Sequence, residues 1–292
     1  MERLDKIVFG DNQFFGINHM SQEKAQKLAQ KFSDINNIIK VYDLAIKSGI
    51  RAIMLNSNNK ATEICDYFRE HIDKYKEISW YPSIPYPHKY ANLIAEKGIT
   101  GSVIEVLIKD NPKSAILGIL GKGGAGLISF DAYKMMEILI DAEMKIFKGL
   151  NIKVIFLQNV ITDLILGFNL GEVFEKFCIY IRKKYKAIPG FITQNMPYLV
   201  KCLKDWGIKE VAICTSINKI GYLMFPDIES YIKTCENNNP DEYQIMAMSP
   251  LASGAISPKE AYEFLNKIKV QSVVFGASSK EHIEEALKLI NI

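Results

Sequence analysis

Eight times along this chain a strand-length apolar run gives way to a longer amphipathic stretch, and that alternation restricts the fold more than any other feature. Strands are expected near 6–10, 51–56, 77–82, 152–158, 188–193, 210–215, 244–248 and 272–276. Helices are expected near 21–33, 36–48, 61–74, 131–148, 170–185, 196–206, 227–236, 258–267 and 280–290. Strands separated by crossover helices pair in parallel. Eight such units close on themselves, so the expected fold is α/β, a (β/α)8 TIM barrel; an open doubly wound sheet competes with it. A length of 292 residues suits one barrel domain spanning 1–292. The apolar share of 48% fills its core.

The spacing breaks once, after strand 3. Residues 83–130 hold Ile84-Pro85-Tyr86-Pro87, two short helical patterns and the run Gly121-Lys122-Gly123-Gly124-Ala125-Gly126. A connection this long is usually functional. As an insertion on the C-terminal face it is expected to form a helical lid or wall. The glycine run matches G-x-G-x-x-G, yet Leu127-Ile128-Ser129-Phe130 separates it from the next helix, whereas a dinucleotide turn opens its helix at once. A hinge or a helix cap fits better, with Lys122 able to fold over a phosphate.

Several classes are excluded. Net charge is +3, and Arg182-Lys183-Lys184 is too small a block for a nucleic-acid face. No apolar run reaches the roughly 18–20 residues of a membrane span. The opening Met1-Glu2-Arg3-Leu4-Asp5-Lys6 runs straight into a strand pattern without a secretory leader. Cys65, Cys178, Cys202, Cys214 and Cys235 lack paired spacing, which points to a reducing cytoplasm. His19, His71, His88 and His282 show no ligand spacing, so no metal is expected. No carboxylate pair suited to glycoside hydrolysis ends the strands.

In a barrel, polar residues just past a strand are the catalytic candidates. Strand 1 delivers Asp11, Asn12, Gln13 and His19: Asp11 can hold a hydroxyl or act as a base, and His19 can move a proton near neutrality. Strand 2 ends in Asn56-Ser57-Asn58-Asn59-Lys60, where a desolvated Lys60 could donate a proton. Tyr81 stands near the end of strand 3, Gln158 and Asn159 end strand 4, and Gln194 and Asn195 end strand 5. These neutral groups bind and orient carbonyl, hydroxyl or carboxamide groups of a small substrate.

The last 45 residues present a different chemistry. Ser249, Leu251, Ser253 and Gly254 follow strand 7; Gly276, Ala277, Ser278, Ser279 and Lys280 follow strand 8 and open a helix. Small residues let backbone N–H groups approach an anion at a helix N-terminus. A phosphate-bearing ligand is expected there.

Met248-Ser249-Pro250-Leu251-Ala252-Ser253-Gly254 and Ser272-Val273-Val274-Phe275-Gly276-Ala277-Ser278-Ser279 resemble the turns with which aldo-keto reductases hold their cofactor's pyrophosphate. Val154-Ile155-Phe156-Leu157-Gln158-Asn159 is similar to that family's strand 4. The resemblance implies a cytoplasmic oxidoreductase using NADP or NAD. It also implies an aspartate, tyrosine, lysine and histidine around the carbonyl. Asn56 stands in the aspartate's place, Lys60 and Ala61 where the tyrosine falls, Tyr81 and Ser83 where a lysine is wanted, and Gln158 in the histidine's place; Ala286 replaces an adenine-contacting asparagine. The cradle is kept and the tetrad is not. The expected function is therefore NAD(P)-linked oxidation or reduction of a small polar carbonyl or alcohol at a rebuilt site. Non-redox lyase or isomerase work on a phosphorylated sugar or nucleotide-like substrate, and silent ligand binding, are the alternatives.

Overall fold

In the computed structural model the eight expected strands form one closed parallel barrel in chain order. The structure describes residues 2–15, 22–86 and 132–292, with the side chains of 22–25, 132 and 135 outside the description. The strands are β1 Ile7–Phe9, β2 Ala52–Asn56, β3 Ser79–Ile84, β4 Val154–Leu157, β5 Ile188–Thr193, β6 Val211–Ser216, β7 Tyr243–Met248 and β8 Ser272–Phe275. The helices are α1 Gln22–Lys31, α2 Ile35–Lys47, α3 Ala61–Glu70, α4 Ile72–Tyr75, α5 Ala132–Met144, α6 Asn159–Gly167, α7 Gly171–Tyr180, α8 Met196–Asp205, α9 Ile228–Glu236, α10 Pro258–Leu265 and α11 Lys280–Leu289. Most of the expected helical lid, and the glycine run with Lys122, lie outside the described residues. Among the described residues no helix is long and apolar enough to cross a membrane.

Alternation along the strands makes two cores. Val8, Ala52, Met54, Tyr81, Val154, Phe156, Cys214, Met246 and Val274 fill the barrel interior. Their chain neighbours, Phe9, Ile53, Leu55, Trp80, Ile155 and Ile213 among them, face outward against the helices. Successive strand residues point to opposite faces, so continuous apolar runs are what a sheet buried on both sides requires. Phe156 needs room inside: its ring passes so close to Gly190 on β5 that a Cβ there would stand 2.4 Å from it.

Two elements differ from expectation. β3 lies at Ser79–Ile84, so Trp80 and Tyr81 are interior to the strand rather than at its end. Helix α6 was not foreseen. It exposes Val160 and Leu164 and buries Thr162, the reverse of the apolar-in, polar-out stripe that marks a surface helix. All five cysteines are free and buried.

Candidate functional site

The site builds from the C-terminal end of β1. Phe14 anchors the turn after it, its ring 5.0 Å from Phe32 and 5.0 Å from Tyr42. That anchor holds Asp11 beside β2 with only 3% of its surface exposed. The Asn56 backbone N–H donates to Asp11 Oδ2 at 2.8 Å, and Asn56 Nδ2 donates to Oδ1 at 2.8 Å. Asn58 Nδ2 stands 3.5 Å from Oδ2. On the far side of Asn56, Gln158 Nε2 donates to its Oδ1. A carboxylate just past β1 is thus tied across the mouth to the end of β4 through Asn56.

Burial raises the Asp11 carboxyl to about 6, against the lowering pull of the Asn56 hydrogen bonds. Desolvation wins because charge is costly where water is excluded. The same burial, with Asp11's negative charge behind it, raises the Tyr42 phenol; Tyr42 on α2 is fully buried.

Below the Asp11 cluster, the strand ends carry further neutral groups. The Ser83 and Ser216 hydroxyls are buried with no hydrogen-bond partner among the described residues. Gln194 accepts at its backbone carbonyl from Tyr231 Oη at 2.8 Å and from the Phe225 amide at 2.9 Å. Its own amide donates to Asp163 Oδ2 at 3.0 Å, and Thr193 Oγ1 donates to Asp163 Oδ1. Asn195 accepts from the Tyr198 amide and caps α8, as a residue with a short polar side chain does at a helix start. Asn12 is exposed, and Asn159, half-buried, is the first residue of α6.

Two expected participants stand elsewhere. Tyr81 points into the barrel and down: its hydroxyl donates to Asp5 Oδ2 at 2.7 Å and accepts from the Asp5 amide at 2.9 Å, at the N-terminal end. An inward side chain from the middle of β3 plugs the floor, away from the mouth. Lys60 extends the other way, donating through Nζ to the Phe32 carbonyl and, at 3.1 Å, to the Ser33 carbonyl after α1. Only its backbone touches the Asp11 cluster, the Lys60 amide donating to Asn58 Oδ1 at 2.9 Å. His19 lies outside the described residues.

The late turns are neighbours, because β7 and β8 pair with Ala247 opposite Val273. They differ in what they offer. In the first, the amides of Ala252 and Gly254 turn inward to the carbonyls of Ser249 (2.9 Å) and Leu251 (2.8 Å). Ser249, Ala252 and Ser253 all take left-handed backbone there, with Gly254 at φ 91°. Ser253 Oγ stands 3.5 Å from Tyr222 Oη. In the second, the amides of Gly276, Ala277 and Ser278 have no acceptor among the described residues, and Ser279 caps α11. Gly276 is partly covered: a Cβ there would stand 2.0 Å from Gln13 Oε1. Gln13 Nε2 donates to the Gly10 carbonyl at 2.8 Å, while Oε1 is buried without a partner. Contact with Gln13 accounts for this glycine independently of any anion.

Sequence reading missed Asp163, Tyr42 and Glu143, the buried partner of Ser57. Asp163 and Glu143 are acids inside apolar helical stretches, and that interruption was their only signal. Among the described residues no group of acids, histidines and cysteines could hold a metal.

No family model and no curated protein matches this sequence. Solved structures do match in fold. An aldo-keto reductase, MGS-M4, from a Medee basin deep-sea metagenome library shares 12% identity over 100% of this chain and 87% of its own, with a TM-score of 0.56. The aldose reductase of Schistosoma japonicum shares 10% over 100% and 88%, at 0.54. The holo form of aldo-keto reductase AKR11C1 from Bacillus halodurans shares 11% over 98% and 87%, at 0.54. The chain folds as these barrels do.

Proposed function

We propose that this chain is an NAD(P)-linked oxidoreductase interconverting a small polar carbonyl compound and its alcohol, with Asp11 handling the proton. Asp11 carries the reading. It is a buried carboxyl at the catalytic face of a barrel, held up near 6 and fixed by both N–H groups of Asn56. Carbonyl reduction leaves an oxygen that must gain a proton, and oxidation must remove one. A group titrating near ambient pH serves both directions. Asn56, Gln158 and Gln194, all neutral, would bind hydroxyl or carbonyl groups, with Asn12, Asn58, Asn159 and Asn195 around them. The nicotinamide cofactor, when bound, would exchange the hydride.

The residues after β8 fit the phosphates of such a cofactor. The amides of Gly276, Ala277 and Ser278 have no acceptor among the described residues, and the N-terminus of α11 adds partial positive charge beside exposed Lys280. Gly254 has open space where a Cβ would be. The five buried thiols suit a reducing cytoplasm. Thermal unfolding with millimolar NADPH or NADH tests the reading, since a ligand that binds the native state raises its stability. A rise of several degrees is expected, and an unchanged midpoint with both cofactors counts against it.

Two observations favour a second reading, acid–base isomerase or lyase work on a phosphorylated sugar or nucleotide-like substrate. Gln13 lies on Gly276, and neutral amides stand where the tetrad's aspartate and histidine would be. Stabilisation by sugar phosphates without any by NADPH would select it.

A further inference from the structure

We infer that Glu143 is a positioning residue for the site, acting through Ser57 to fix the start of the connection after β3 at the barrel mouth. This rests on the oxidoreductase reading for its kinetic consequence and on geometry alone for its structural one. Glu143 lies near the end of α5, with 1% of its surface exposed. Its Oε2 accepts the Ser57 hydroxyl proton. Ser57, also 1% exposed, follows directly on Asn56, the residue that grips Asp11.

The Ser57 hydroxyl has two directions to satisfy. It donates to Glu143 and accepts the Tyr86 amide at 3.1 Å. The Ser57 amide donates to the Ser83 carbonyl at 3.3 Å. Three pieces of chain are therefore joined at one hydroxyl: the end of β2, the first residues after β3, and α5. A hydroxyl free to rotate presents its lone pairs anywhere. The Glu143 oxygen accepts its hydrogen bond and so turns a hydroxyl lone pair toward the Tyr86 amide.

What hangs on this is the Tyr86 side chain. It is half-buried, and burial, then Asp11's negative charge, raises its phenol. Leaving a buried polar group without its hydrogen bond costs more than the bond itself contributes. Glu143 thus ties α5 to the hydroxyl on which the Tyr86 amide rests.

Hydrogen exchange on the full chain tests this directly. Ser57→Ala and Glu143→Leu are expected to speed exchange of the Tyr86 amide at least tenfold and to leave the Phe156 and Ile213 amides unchanged. Glu143→Gln, which keeps an acceptor for Ser57, is expected to stay within threefold of the parent. If Glu143→Leu fails to fold, the comparison of Ser57→Ala with Glu143→Gln carries the test. With NADPH and DL-glyceraldehyde, Ser57→Ala is expected to raise KM five- to tenfold with kcat within twofold. Unchanged Tyr86 exchange in Ser57→Ala, or an effect of Glu143→Gln as large as that of Glu143→Leu, overturns the inference. If the parent turns over no carbonyl with NADPH while the exchange results hold, the oxidoreductase reading fails and the positioning role stands.

Discussion

Asn56 gives Asp11 both of its N–H groups, the backbone amide to one carboxylate oxygen and the side-chain amide to the other, each at 2.8 Å. Two donors from one residue fix the carboxylate plane. Even so, burial outweighs them, and the carboxyl rises from the ordinary 3.8 to about 6. The folded chain therefore binds this proton more tightly than the unfolded chain does. Asp11's contribution to stability is full below pH 4 and is lost as pH climbs through 6, a change of about 3 kcal/mol. Asp163, also raised mainly by burial, acts in the same direction. Urea unfolding between pH 4 and 7 is expected to show stability falling in that window. Asp11→Asn should flatten most of the fall; an equally steep decline in the variant contradicts the assignment.

Gln158 matters through Asn56, whose side-chain oxygen it occupies. Gln158→Leu leaves that oxygen without its donor and frees the amide to turn. An unmade hydrogen bond at a buried group costs about 1–3 kcal/mol. Stability should fall by about that amount in urea. Turnover should fall about 10- to 100-fold, the effect of losing about 1.4–2.7 kcal/mol of orientation at the reacting centre. Unchanged turnover would place Gln158 outside the machinery.

Tyr81→Phe separates floor from mouth. The Asp5 carboxylate loses a 2.7 Å hydroxyl donor but keeps Lys153 Nζ at 3.1 Å. A loss of about 1–2 kcal/mol in stability is expected, with kcat/KM within twofold of the parent. A large kinetic loss would return Tyr81 to the site.

Gly276 and Gln13 should behave as a coupled pair. A methyl group at 276 collides with Gln13 Oε1, the mobile end of a side chain. Gly276→Ala is expected to cost about 1 kcal/mol alone and close to nothing in a Gln13→Ala background, a coupling typical of residues in contact. Additive costs in the double variant would show that something other than Gln13 excludes a side chain there.

Strand number, order and closure were legible because continuous apolar runs between amphipathic stretches leave few alternatives. Helix α6 was not, since it turns Val160 and Leu164 outward and Thr162 inward, the reverse of the usual pattern. Asp11 and Asn56 could be picked out by their place just past β1 and β2. Their direct bond, joining residues 45 positions apart, could not. Tyr81 misled because β3 runs two residues further than its apolar pattern suggested, through Pro82 to Ile84, turning an end position into an interior one. Lys60 misled because a long flexible side chain past a strand can turn either to the mouth or to a neighbouring helix end. Here the Phe32 and Ser33 carbonyls take it. The spacing of the Gly276 turn suits an anion, and the contact with Gln13, from the turn after β1, has no sequence signal because it joins distant parts of the chain.

The most direct test is NADPH oxidation by short polar aldehydes from pH 5 to 8, in the parent and in Asp11→Asn. Proton handling by Asp11 predicts a measurable rate whose pH profile bends near 6, and a variant at least 100-fold slower with no bend. A variant that matches the parent in rate and profile would contradict it.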